Sequence, residues 1–262
     1  MPSEQERRNE DYRLAILAAS AVAASTVRSY FQFLPVNVDD ATWRRFIDLV
    51  YDAVMKGRLE VFNLTTAFYM DNRPTADDPP EFIERRYPPR RLERALAPPR
   101  ARITGIDELL AEEARIAAEQ AEAITAEHVM ASGRQSVEDA TTADKLALGW
   151  VRVPSGAETC AFCTMLASRG PVEKETRKGQ TVIRGLYRTE QTALFGQGGE
   201  PYHPNCDCIA VPVYDRNNWP GREKYLEAQD LWDDVKEAGF TGREALNEIR
   251  RRIYAQQKQR VP

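Results

Sequence analysis

The chain has 262 residues, with 36 Lys+Arg against 40 Asp+Glu and a formal net charge of −4. That balance excludes a generic polybasic nucleic-acid coat and leaves room for local basic patches. With 42% hydrophobic and 29% charged residues the composition is globular, enough for one large domain or two small ones, and only two histidines limit the available chemistry.

Residues 1–72 read as an N-terminal helical region. Residues 5–31 are rich in Ala, with Tyr12, Tyr30 and Phe31 near the ends, and Pro35 closes the segment. The apolar stretch 14–25 is shorter than the roughly 20 residues of a membrane span. Four acids precede it (Glu4, Glu6, Glu10, Asp11), unlike a secretory leader. The expectation is an amphipathic helix, no membrane contact and a reducing compartment. A second helix starts with Asp39 or Asp40 as N-cap. Trp43, Phe46, Ile47, Val50 and Val54 follow at helical spacing as one buried stripe. Gly57 is expected to end or kink it, with another helix over 59–70.

Residues 73–104 change character. Seven prolines (74, 79, 80, 88, 89, 98 and 99) share the segment with Arg85, Arg86, Arg90, Arg91, Arg94, Arg100 and Arg102. Such proline density reads as a stiff inter-domain arm. It is either a solvated linker or a basic arm whose arginines contact phosphate or an acidic partner. Residues 105–149 read as long Ala/Glu helices, broken at Gly133, with His128 on an exposed face. The helical regions on either side of the arm are expected to stay partly separate. Residues 150–215 begin with the alternation Trp150-Val151-Arg152-Val153, which reads as a strand. Residues 216–262 return to helices. There Thr241-Gly242-Arg243-Glu244 has capping-box form, and Leu246, Ile249 and Ile253 mark a buried face. The fold class is therefore mainly α, with a small β-containing Cys/His module between helical flanks.

All four cysteines fall within 49 residues: Cys160, Cys163, Cys206 and Cys208. His203, one of the two histidines, lies among them. The pattern is C-x2-C, then H-x2-C-x-C. Tetrahedral zinc takes four N/S ligands on two short knuckles, and this pattern supplies five candidates for four positions. Cys160 and Cys163 rank first, then Cys208 and His203, then Cys206. Two disulfides fit a secreted chain better than this one. A C-x-x-C redox motif would leave the second Cys pair unexplained. Free buried thiols are the remaining alternative. Thiolate-rich ligation reads as a closed structural Zn2+ site. No GxSxG nucleophile elbow and no phosphate loop is present, and an enzyme is not supported.

The segment GWVRVPSGAETCAFCTMLASRGPV, followed by YHPNCDCIAVPVY, resembles the MuF-like minor capsid proteins of tailed actinobacteriophages, a phage head morphogenesis family. The resemblance is strong over about 65 residues and extends to the remainder only as a helical, Ala- and Arg-rich style. It implies a structural virion protein of the head interior or portal vertex, present in host cytoplasm during assembly. Its partners would be the portal protein, the major capsid protein or packaged DNA, and the resemblance allows for packaging and ejection with the DNA. A zinc-containing nucleic-acid-binding protein is the alternative.

Overall fold

The computed structural model describes residues 3–105, 111–155, 159–177, 180–184, 205–206 and 208–260. Helix α1 (Glu4–Phe31) opens with a capping box. The Ser3 hydroxyl accepts the Glu6 N–H at 3.1 Å, and the Glu6 carboxylate accepts the Ser3 N–H at 2.6 Å. Helix α2 (Asp40–Asn72) is capped by Asp39, whose carboxylate accepts the Thr42 N–H at 2.7 Å. The expected stripe Trp43, Phe46, Ile47, Val50 and Val54 is buried. Helix α5 (Ala111–Ala143) packs against both α1 and α2. The two helical regions expected to stay partly apart thus share one core.

Both expected glycine breaks are absent. Gly57 lies inside α2 and Gly133 inside α5. A Cβ at Gly57 would meet Ala23 Cβ and Val129 Cγ1 at 3.2 Å. At Gly133 it would collide with the Thr65 hydroxyl and reach Tyr12 OH and Val61 Cγ1 at 3.0 Å. These glycines mark where three helices approach most closely. Helical packing recovers the roughly 1 kcal/mol that glycine costs in a helix interior relative to Ala. Beside Gly133, Tyr12 stacks on Phe68 with centroids 4.0 Å apart, and its hydroxyl lies 2.7 Å from Thr65 Oγ1.

The proline-rich segment is not a solvated linker. It contains two short helices, α3 (Pro89–Ala95) and α4 (Ala97–Arg102). Tyr87, Leu92, Leu96 and Ile103 are at most 1% exposed and join the main core. Pro89 opens α3, and Pro98 and Pro99 lie in the first turn of α4, where a missing N–H costs nothing. The segment is tied down at both ends. Near its start, Arg73 donates to both oxygens of Asp144 (2.9 and 3.0 Å), and to the carbonyls of Thr75, Asp77 and Asp78. Near its end, Asn37 N–H donates to the Ile103 carbonyl at 2.8 Å.

After α5 the chain enters β1 (Gly149–Val153), α6 (Ala161–Ala167), β2 (Val172–Arg177), β3 (Gln180–Arg184) and β4 (Ile209–Val213). The sheet is antiparallel in the order β3-β2-β1-β4, with Val151 opposite Val211 and Val153 opposite Ile209. Helices α7 (Arg222–Glu237) and α8 (Gly242–Arg260) form a hairpin against α6. Val235, Ala245 and Ile249 pack there on Ala161, Met165 and Leu166. By length and mean hydropathy (1.4 over its best window) α1 would suffice to cross a membrane, contrary to the shorter estimate from residues 14–25. Here its Tyr12, Ile16, Ala23 and Val27 face is buried in the helical core.

Candidate metal centre

Strand pairing assembles the cysteines. Val153, the last residue of β1, pairs with Ile209, the first of β4. Cys208 therefore sits at the end of β1, where the chain turns toward α6. Cys160 is the N-cap of α6, and Cys163 follows in its first turn. The Cys160 Sγ accepts the Cys163 N–H at 3.4 Å, so the C-x2-C spacing here is a helix cap.

The Sγ atoms of Cys163, Cys206 and Cys208 all lie within 4.8 Å of one another. The Cys163 and Cys206 sulfurs are 3.4 Å apart. Each of the three is at most 3% exposed. Cys206, ranked last from spacing, is thus one of the three converging thiols. Cys160 is exposed and stands at the edge of the group. His203 lies outside the described residues.

Two buried arginines complete the site, and neither was identified from the sequence. Arg134, from α5, donates to the carbonyls of Cys206 (2.5 Å) and Cys208 (3.2 Å). Arg152, from β1, points its Nη1 at Cys163 Sγ from 3.9 Å. Both are at most 3% exposed. The available signals were a charged residue inside an alternating apolar strand, and an arginine in the small-residue run 131–137.

Hydrogen bonds from Cys163 and Cys208, with the charges of Arg134 and Arg152, pull the Cys206 thiol far below the ordinary thiol range. Hydrogen bonding with Cys160, Cys206 and Cys208, together with burial, pushes Cys163 up. Buried thiols beside guanidinium groups suit metal ligation, because metals bind thiolate and a neighbouring cation favours that form. Sulfurs around a tetrahedral ion at about 2.3 Å stand about 3.8 Å apart. The observed cluster fits that spacing, and it can hold a metal ion. Its all-sulfur character suits a soft or borderline metal rather than Mg2+ or Ca2+.

The arm arginines divide into two sets. Arg85 forms a bidentate pair with Asp139 (2.7 and 2.7 Å). Arg100 pairs with Asp40 at 2.6 Å and lies over Trp43, and Arg102 bonds Gln120. Arg91 lies over the Tyr87 ring. Arg86, Arg90 and Arg94 are exposed. His128, expected on an exposed face, is instead 16% exposed and 3.0 Å from Tyr87 OH through Nδ1. Burial, with Arg91 and Arg58 adding to it, lowers its pKa to about 4.

Comparison with known proteins places this architecture. The chain is 34% identical over 161 residues to the Gene 15 protein of Mycobacterium phage D29, covering 50% of this chain and 57% of that protein. It is 35% identical over 144 residues to the Gene 15 protein of Mycobacterium phage L5, covering 42% of this chain and 48% of that one. The matches thus span about half the length of these curated relatives. No solved structure matches. The VG15 protein family model matches residues 3–235, from the first helix through the cysteine module to α7. The chain belongs to the VG15 protein family, and its relatives are phage-encoded proteins.

Proposed function

We propose that the protein is a structural minor capsid or portal-associated component of tailed-phage head morphogenesis, without enzymatic activity. In this reading a Zn2+ ion binds Cys163, Cys206 and Cys208, with Cys160 or His203 as fourth ligand. The observation that carries the reading is the cysteine module. The segment 150–214 that resembles MuF-like proteins is the one whose three thiols converge in a buried cluster. Thiolate-rich ligation of this kind is typical of structural zinc sites. Arg134 fastens both cysteine carbonyls to α5, a helix of the main core, so metal binding would add to the folding free energy of the body that α5 anchors. The phage origin of the relatives supports a role in the particle.

The test is to follow the protein through head assembly. Antibody detection in purified proheads and virions, with co-purification of the portal protein, is the expected result. A protein absent from both particles and free of portal after cross-linking refutes the proposal.

A further inference from the structure

We propose that Arg86, Arg90 and Arg94 form a sequence-independent contact for the phosphodiester backbone of double-stranded DNA. The argument starts from how this chain treats its other arginines. Arg8, Arg13, Arg28, Arg115 and Arg251 all pair with carboxylates at the surface. Within the arm, Arg85, Arg100 and Arg102 are bonded to side chains of the helical core. None of the guanidinium groups of Arg86, Arg90 and Arg94 has a hydrogen bond or ion pair among the described residues, although the chain carries 40 carboxylates. Arg44, Arg216, Arg222 and Arg243 also lack such a partner among the described residues but are scattered along the chain, whereas Arg86, Arg90 and Arg94 fall within nine residues of one another. Arg86 and Arg90 line one cleft, together with only Pro88 and Pro89. Arg94 stands one turn beyond Arg90 on α3, about 6 Å along the helix axis.

The support beneath them is rigid. Tyr87, Leu92 and Leu96 are at most 1% exposed and anchor the element in the main core. The three exposed cations therefore project from one anchored segment, where a polyanion can meet them together. The nature of the cleft selects the anion. Its walls are guanidinium groups and proline rings, with no carboxylate and no proline N–H. An acidic protein partner would need buried apolar anchors to bind well. A phosphate backbone needs only cations in a row, and the guanidinium fork matches phosphate oxygens. The head-protein reading supplies the DNA to be met, but binding itself does not depend on it.

The experiment measures binding of the full chain to a random-sequence duplex by fluorescence anisotropy between 50 and 200 mM salt. Three phosphate contacts predict a slope of about −2.7 in log K against log salt, or about a 40-fold loss across that range. The triple variant Arg86→Gln/Arg90→Gln/Arg94→Gln is expected to lose this binding. Each single variant should flatten the slope by about 0.9. Arg85→Gln, whose side chain is already committed to Asp139, should leave the slope unchanged. Failure of the wild-type chain to bind at 50 mM salt overturns the proposal, as does a triple variant with the wild-type slope. Polyglutamate displacing the duplex at equal charge concentration also overturns it, in favour of an acidic protein partner. These outcomes leave particle association untouched, so they separate this proposal from the head-protein reading.

Discussion

Replacing Asp144 by Asn should destabilise the protein by about 3–5 kcal/mol, the usual cost of removing one partner of a buried ion pair. The side chains of Asp144 and Arg73 are 0% and 1% exposed. Asp144 accepts two bonds from Arg73, one from the Leu146 N–H at 3.0 Å, and one each from the hydroxyls of Tyr69 and Tyr214 at 3.2 Å. An amide fills the same volume, but one of its two ends is a donor and cannot accept. The variant thus leaves a buried guanidinium uncompensated and at least one donor unmatched. The damage would reach four elements, since the pair joins the ends of α2 and α5 to the arm and, through Tyr214, to β4. At about 2–4 °C per kcal/mol for a chain of this size, the melting temperature should fall by roughly 6–20 °C. Calorimetry, with urea unfolding monitored by circular dichroism, reads both quantities. Removing both charges, as in Arg73→Met/Asp144→Leu, should recover much of the loss. Burial raises the Asp144 pKa, but the bonds from Arg73 and the Leu146 N–H outweigh it, and the net shift is downward. Its contribution is therefore full above the ordinary carboxylate range and is lost as pH falls through the depressed folded value. A destabilisation below about 1 kcal/mol by Asp144→Asn, well outside the buried-pair range, would refute the staple.

Gly133→Ala should cost about 1–3 kcal/mol by overpacking, despite alanine's better helix propensity. Thermal melts check this, and a neutral or stabilising effect would mean that the helices are not in contact there. His128 is held neutral, with its pKa lowered from 6.5 to about 4. The unfolded chain binds the extra proton, so stability due to His128 is present above pH 6.5 and is lost as pH falls toward 4. The difference in urea stability between the wild type and His128→Gln should shrink across that window, by on the order of 3 kcal/mol. A difference that does not change with pH would contradict the buried site. Arg134→Met should accelerate loss of metal to a chelator roughly 10–100-fold, as outer-shell changes do. Unchanged release kinetics would leave Arg134 a packing residue only.

Patterns carried by single elements were legible in the sequence. The stripe beginning at Trp43, a cap at Asp39 or Asp40 and the strand at Trp150 follow from local periodicity and capping. Gly57 and Gly133 were misread because a glycine that ends a helix and one that admits a neighbouring helix look alike along the chain. Their difference lies in Ala23, Val129, Tyr12 and Thr65, which are remote in sequence. The arm was misread for a related reason. Its prolines advertise stiffness, whereas its burial rests on the separated apolar residues Tyr87, Leu92, Leu96 and Ile103. The hairpin β2–β3 has no clear apolar–polar alternation to announce it in the sequence. Clustering of cysteines was visible at once, but spacing could not order them. Cys206 is brought to the other thiols by the pairing of β1 with β4, and Arg134 reaches it from α5, more than 70 residues earlier in the chain.

The central claim is that the cysteine cluster is a structural metal centre. Elemental analysis of protein purified without added metal, combined with thiol counting before and after chelation, tests it most directly. The account predicts about one zinc per chain for a single such site, with buried thiols that react only after chelation or unfolding, and loss of the metal in Cys206→Ser. Metal-free protein with four readily titrated thiols would contradict it. Metal-free protein with no free thiols would mean disulfides in place of the metal.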